Sequence, residues 1–269
     1  PVDTSADQEL ERAGSRLRAV SRDLYRNNPY ARRIINAIAT NLVVTGITPF
    51  VVGQKDDTAI DDLLKQHLDT TLVDANGRLT LYGLQMVVAK TVVMSGEILA
   101  LRVRRRSRDR LPLPFQIKLL EAEYLDETRD GPLSGGGYVY RGIEFDARGR
   151  RVAYWLFDDH PSNPFYRTPT SSRYLAGDVV HIYRVDHPGQ ERGEPWLAPV
   201  IPRLYDLAGY IDAQLMRQRV AACFVGFVEQ DLGGTDSEID TFGGGGTVKD
   251  TRGNDVDVLE PGILAKLPA

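Results

Sequence analysis

A long run with helical periodicity near the carboxyl end most constrains what this chain can fold into. After a turn-rich loop (residues 187–202), apolar side chains recur three and four positions apart at Leu204, Leu207, Ala208, Ile211 and Leu215. No proline follows Pro202, and the other side is polar. The pattern predicts an amphipathic helix to about Ala222. Periodicity alone favours packing on the subunit's own core, although the polar second face also suits packing between neighbours in an assembly.

The order of patterns along the chain predicts an α+β fold. N-terminal helices are predicted over residues 7–26, 29–44, 57–72 and 81–94. After Gly96 the period changes to two, which predicts a mostly antiparallel β-sheet with strands over residues 97–106, 115–120, 138–145, 151–157 and 178–184. The long helix then follows, and residues 220–228 could turn into a strand. The glycine run of residues 243–246 suits no rigid element.

Composition excludes several classes of protein. The chain has 269 residues, is 42% hydrophobic and 26% charged, and carries a net charge of −4, which argues against a broadly basic protein that coats DNA. It contains no apolar run that could span a bilayer and no signal-peptide pattern. The single Cys223 excludes an internal disulfide and fits a reducing compartment. Because the chain ends after an unfinished apolar stretch, we expect it to be part of a longer polypeptide.

No constellation predicts catalysis, a metal or a cofactor. Glu121 and Glu123 lack an identifiable acid–base partner, and Cys223 has the apolar setting of an inert thiol. Three histidines and four acids lie near one another in the sequence: His160, His181, His187, Asp158, Asp159, Asp178 and Asp186. Their spacing matches no common zinc site. His181 lies in an alternating strand, which favours a hydrogen-bonded structural role. We therefore predict a protein that is not an enzyme.

Six arginines form a cluster that allows two interpretations. They are Arg102, Arg104, Arg105, Arg106, Arg108 and Arg110. One interpretation is a patch that contacts phosphate groups. The other is a charged hairpin end, either solvated or paired with acids of a neighbouring subunit. The second is favoured because no aromatic residue is interleaved to stack on bases.

Five stretches resemble one known family in the same order. His181 is followed by the loop PGQERGEPWLAP (residues 188–199), and the helix pattern ends in AACF (residues 221–224). The four others are RDLYRNNPYARRIINAIATNLVVTGI (22–47), SGEILALR (95–102), LLEAEYLD (119–126) and GIEFDARGRRVAYWLF (142–157). Together they resemble the lambda-type family of bacteriophage portal proteins.

This resemblance implies a homo-oligomeric ring of twelve subunits at one capsid vertex, through which double-stranded DNA is packaged and ejected. It implies a wing (helical residues 1–94 and β-rich residues 95–186), a loop and stem helix (187–222) and a clip-like segment (223–269). Implied partners are the terminase large subunit, capsid and scaffolding proteins, head-completion and tail adaptor proteins, and the DNA. The protein would assemble in the host cytoplasm and reside in the virion.

The resemblance also gives the helix stripe a role. It implies that Leu204, Leu207, Ile211 and Leu215 lie at subunit interfaces, while Gln214, Arg217 and Gln218 face the channel. Trp196 is either an interface anchor or a staple of the loop onto its own helix, and the resemblance favours the anchor. The alternatives are another structural virion protein, such as a capsid or tail-connector subunit, and a nucleic-acid-processing enzyme suggested by the arginines and scattered acids.

Overall fold

The computed structural model describes residues 6–51, 57–163, 170–228, 247–249, 255–257 and 263–266. The chain divides into two compact units, Pro1–Ile201 and Pro202–Ala269. The glycine run of residues 243–246 lies outside the described residues.

Two N-terminal helices begin and end where the sequence predicts. Helix α1 spans Ala6–Asn27 and α2 spans Pro29–Val43. Between them, the side chain of Asn28 accepts hydrogen bonds from the backbone N–H groups of Tyr30 and Ala31 at 2.9 and 3.1 Å. This capping satisfies two donors that the first turn of α2 leaves without helical partners. Pro29 needs no such partner, so one short segment ends one helix and starts the next.

The inward faces of both helices differ from the apolar seams that periodicity predicts. In α1 the predicted seam was Leu10, Ala13, Leu17, Val20 and Leu24, but Gly14, Arg18 and Ser21 are buried with Leu10 and Leu24. In α2 the buried residues are Ala31, Ile35, Ala39 and Val43, whereas the predicted Ile34 and Leu42 are exposed. The small side chains of Ala39 and Ala89 let α2 and α4 pack closely. Arg18 points inward because it pairs there with carboxylates such as that of Glu123.

Helix α3 spans Asp57–Leu68 and α4 spans Leu81–Ser95. Helix α3 ends before the predicted Leu72, since Thr70 caps a separate short turn over Thr71–Val73. The Asp74 carboxylate then accepts hydrogen bonds from the backbone N–H groups of Asn76, Arg78 and Leu79, which fixes the turn. Gly96, with φ of 90°, ends α4 and directs the chain into the first strand.

The strands are β1 Glu97–Arg104, β2 Phe115–Glu121, β3 Gly131–Pro132, β4 Tyr138–Tyr140, β5 Ile143–Phe145, β6 Arg151–Phe157, β7 Ser171–Leu175 and β8 Val179–Tyr183. They form a three-stranded sheet in the order β2-β1-β8 and a five-stranded sheet in the order β3-β4-β5-β6-β7. Every pairing in these two sheets is antiparallel. One core combines buried side chains of both sheets, including Leu99, Leu101, Phe145 and Leu156. The α+β prediction is confirmed.

The predicted strand over residues 138–145 is in fact two strands. Arg141 and Gly142 both have positive φ, 47° and 82°, which breaks the extended backbone. A side chain at Gly142 would place Cβ 2.9 Å from the Asp126 carbonyl oxygen, so the break needs glycine there. Strand β7 was not predicted, because its first two residues, Ser171 and Ser172, end a sequence rich in polar turn formers that predicts a loop.

Helix α5 spans Ile201–Cys223, which confirms the predicted long helix. At about 1.5 Å per residue, its 23 residues extend for about 35 Å. It passes directly into β9, Phe224–Val228, the strand that the β-branched residues suggested. The remaining described elements are β10 Thr247–Lys249, β11 Asp255–Asp257 and β12 Ile263–Lys266. Strand β9 pairs with β12 in parallel.

Candidate functional site: the loop before α5 and the exposed face of α5

The loop that leads to α5 is shaped by the side chain of Gln190. Its Oε1 accepts hydrogen bonds from the backbone N–H groups of Asp186 and His187 at 2.8 and 3.2 Å. Its Nε2 donates to the Arg192 carbonyl oxygen at 2.7 Å. Gly189 takes a φ of 78° at the tip. The loop is therefore a defined structure, with a glutamine and a glycine at the positions that its path requires.

Arg192 fastens this loop to the first strand. Its side chain is 1% exposed, and its Nη2 donates to Oε1 of the fully buried Glu97 at 2.6 Å. Nε donates to the same carboxylate at 3.0 Å, and the Gly193 N–H donates to Glu97 Oε2 at 2.9 Å. A Cβ at Gly193 would lie 2.3 Å from the Gly96 carbonyl oxygen. The pair Arg192 and Gly193, the RG pair, thus supplies a cation to Glu97 and lets the loop backbone pack closely against Gly96.

His181 completes the surroundings of Glu97. His181 lies on the neighbouring strand β8, and its Nε2 is 3.0 Å from Glu97 Oε2. Burial lowers the pKa of His181, so the ring is neutral near pH 7 and donates its Nε2 proton to the carboxylate. Burial alone would raise the pKa of Glu97, but Arg192 and His181 outweigh it and hold that pKa well below its usual value. The predicted structural role of His181 is confirmed.

A second layer of charges joins helix α1 to the same cluster. Arg18 is buried and lies 3.5 Å from Glu97, 3.2 Å from Glu123 and 3.4 Å from Glu127. Arg192 Nη1 also donates to Glu127 at 2.8 Å, and Arg141 donates to the other oxygen of Glu127 at 2.6 Å. These contacts join α1, β1, the segment after β2 and the loop into one buried network. Glu97, which precedes four apolar residues at the start of β1, was one sequence signal for it.

Trp196 lies where the loop meets α4. Its backbone N–H donates to the Val93 carbonyl oxygen at 3.1 Å, and the Arg184 guanidinium lies 4.5 Å from the ring centroid. The indole Nε1 is buried and has no hydrogen-bond partner in the structure. These contacts attach the loop to α4, while both predicted roles of Trp196, a staple onto α5 and an anchor in a subunit interface, stay predictions.

Helix α5 leaves most of its apolar side chains exposed. Leu204 is buried, but Leu207 is 39% exposed and Leu215 is 50% exposed, and Ile211 is half-buried. Tyr205, Tyr210 and Met216 add further exposed apolar surface. The polar residues Gln214, Arg217 and Gln218 lie on the same helix, and the last two are exposed. Such a surface is typical of a helix that another chain covers.

Two other sites were weighed from the sequence, the arginine cluster and a possible metal site. Arg102 and Arg104 both donate to the Asp178 carboxylate, at 2.6 and 3.0 Å, so the hairpin arginines are partly paired within the chain. Among the described residues, no group of histidine, cysteine and acidic side chains could hold a metal ion. Nor does any described helix have the length and apolar character needed to cross a membrane.

The chain thus has an α+β architecture and a long helix with an exposed apolar face, a surface that suits packing in an assembly. Comparison with known proteins identifies the family. The family model described as phage portal protein, lambda family, matches residues 1–269. The chain belongs to this family, which is a structural family and not a family of enzymes.

Individual relatives are more distant. A probable portal protein of Halomonas phage phiHAP-1 is 27% identical over 238 residues, which cover 84% of this chain and 45% of that protein. A chain in the neck of an empty GTA particle, computed with C6 symmetry, aligns with a TM-score of 0.42 and 14% identity over 75% of this chain and 46% of its own. The chain thus spans about half the length of the relatives that it matches.

Proposed function

We propose that this chain forms the wing, stem and part of the clip of a portal ring, through which double-stranded DNA enters and leaves a phage capsid. The exposed apolar face of α5 carries the proposal. A single chain leaves Leu207 and Leu215 in water, although fully burying a leucine contributes about 1.5–3 kcal/mol. In a closed ring of twelve copies, each α5 would pack against helices of its neighbours and cover these side chains.

The charge distribution supports a conduit that does not grip DNA. Each phosphate contact made by a lysine or arginine is salt-sensitive attraction that would slow a moving duplex. The chain carries a net charge of −4, and on α5 the uncharged Gln214 and Gln218 lie beside Arg217. We propose that these three side chains face the channel.

The family suggests when and where the ring would act. In this proposal it assembles in the host cytoplasm with capsid and scaffolding proteins, and it docks the terminase large subunit during packaging. Head-completion and tail adaptor proteins then replace the motor, and the ring remains in the virion at one vertex. Residues 1–186 would form the wing, residues 187–222 the loop and stem, and residues 223–269 a clip-like segment.

Electron microscopy of the intact protein tests this function. Closed rings with a central channel at least as wide as a DNA duplex are the expected result. A shell, or an open filament, would favour another structural virion protein instead. Cleavage of plain DNA with a divalent metal ion would favour the enzyme alternative.

A further inference from the structure

The β1–β2 hairpin presents a strongly basic surface. Within the described part of the chain, Asp178 pairs with the side chains of two of the six arginines, Arg102 and Arg104. Asp109 accepts a hydrogen bond from the Arg106 backbone N–H, which fixes the turn. The side chains of Arg106, Arg108 and Arg110 are exposed. This concentration of positive charge contrasts with the net charge of −4 of the whole chain.

The opposite end of β2 carries negative charge. Glu121 ends the strand, and the exposed Asp158 and Asp159 follow directly after β6. His160 Nε2 lies 3.7 Å from Glu121, which brings the two segments together. Burial raises the pKa of Tyr124, and the nearby charges of Asp159 and Glu121 raise it further, as expected beside an acidic surface. We call Glu121, Asp158 and Asp159 the acidic end; Arg22 lies 3.6 Å from Glu121, so the two aspartates carry most of its negative charge.

These two surfaces are too far apart to neutralise each other within one chain. Strand β2 runs from Phe115, which pairs with Arg104, to Glu121. Six residue steps of about 3.3 Å separate these ends by about 20 Å. That distance exceeds the Debye length of about 8 Å at physiological salt, so attraction between them is largely screened. Opposite charges at opposite ends of β2 suit a head-to-tail contact, in which each copy uses one surface on each neighbour.

We propose that the arginine cluster of one copy docks on the acidic end of the next copy around the ring. The inference rests on the proposed ring and adds a second, electrostatic contact to the packing of α5. Charge complementarity within a single sequence favours a second copy as the occupant. A nucleic acid is a poorer fit, because Asp178 already occupies two of the arginines and no aromatic side chain interleaves them to stack on bases.

Charge reversal in the intact protein tests the contact. Arg106→Glu with Arg108→Glu reverses the basic surface, and Asp158→Lys with Asp159→Lys reverses the acidic one. Each double variant should need at least a tenfold higher concentration to form rings, as measured by light scattering. Mixing the two variants should restore assembly, because reversed surfaces then meet with opposite charge. Arg148→Glu, at an exposed turn between β5 and β6, is the matched control and should assemble as the wild type does.

The outcomes separate this contact from the ring itself. If the wild type forms no rings, the proposed function is wrong and the contact falls with it. If both charge-reversed variants form rings at wild-type concentrations, the ring stands and the contact is wrong. Failure of the mixture to restore assembly of folded variants, judged by circular dichroism, also overturns it. So does a tenfold loss of binding to a 20-base-pair duplex in the Arg106/Arg108 variant with its assembly unchanged, since the occupant would then be nucleic acid.

Discussion

Replacing Arg192 with methionine should be far more costly than removing a surface arginine. Methionine keeps much of the side-chain volume but leaves Glu97 buried without its main cation. The carboxylate would lose three hydrogen-bond contacts from the guanidinium, at 2.6, 3.0 and 3.0 Å. It would keep the Gly193 N–H at 2.9 Å, His181 at 3.0 Å and the longer contact with Arg18 at 3.5 Å.

The magnitude follows from these remaining partners. Breaking a buried ion pair by removing one partner costs about 3–5 kcal/mol, because the other charge stays uncompensated. The surviving donors place Arg192→Met near the lower end, about 3 kcal/mol. Adding Glu97→Gln removes the stranded charge, so the double variant should be more stable than Arg192→Met alone. This non-additivity is expected of residues in direct contact.

Urea denaturation followed by tryptophan fluorescence and circular dichroism measures both effects. Arg150→Met is the matched control, since Arg150 also pairs with a carboxylate, Asp146 at 2.8 Å, but is 71% exposed. Its loss should leave the free energy of unfolding nearly unchanged. If Arg192→Met costs no more than Arg150→Met, or if Glu97→Gln adds its full cost to that of Arg192→Met, the buried network does not hold the loop as described.

Three further predictions concern pH, DNA and assembly. The folded state should lose stability on acidification in two steps. The first begins below about pH 6.5, where the unfolded chain takes up a proton on His181 while the folded chain, with its lowered pKa, does not; the second begins below about pH 4.5, because folding depresses the pKa of Glu97. Thermal melts across this range measure the effect, and a melting temperature that does not change with pH would contradict it. Replacing Arg104, Arg105 and Arg106 with alanine should change DNA affinity little at physiological salt. Fluorescence anisotropy with a labelled duplex measures this affinity, and a steep loss would show that the hairpin contacts phosphate groups. Ile211→Asp should prevent assembly by burying an unpaired charge, at a cost of several kcal/mol per interface, whereas Gln214→Ala should assemble; normal assembly of Ile211→Asp would make the stripe irrelevant to subunit contact.

Local signals in the sequence predicted much of the fold. Asn28 and Pro29 marked a helix boundary because capping depends on a few adjacent residues. The change of hydrophobic period after Gly96 likewise revealed the strands, because the period depends on residues that are close in the sequence. Strand β7 was missed because Ser171 and Ser172 continue the turn-forming composition of the residues before them, and their extended backbone depends on pairing with β6.

The buried charge network could not be predicted from periodicity. Arg18 and Arg192 are far apart in the sequence, and each would ordinarily be placed on a solvated face. Only the folded chain brings them to Glu97 and Glu127, where the carboxylates offset the cost of burial. The resemblance to a family marked the RG pair without a physical reason, and the structure supplies one. The interface and channel assignments on α5 depend on neighbouring copies and stay predictions.

The mass of the intact wild-type assembly tests the central claim most directly. Native mass spectrometry, or light scattering coupled to size exclusion, should give one discrete species whose mass is a whole multiple of the subunit mass, with twelve copies expected. The mass should not grow with concentration, because a heterologous contact that closes into a ring leaves no free end. A monomer at all concentrations, or a continuous series of growing species, would contradict the assignment of α5 as the stem of a portal ring.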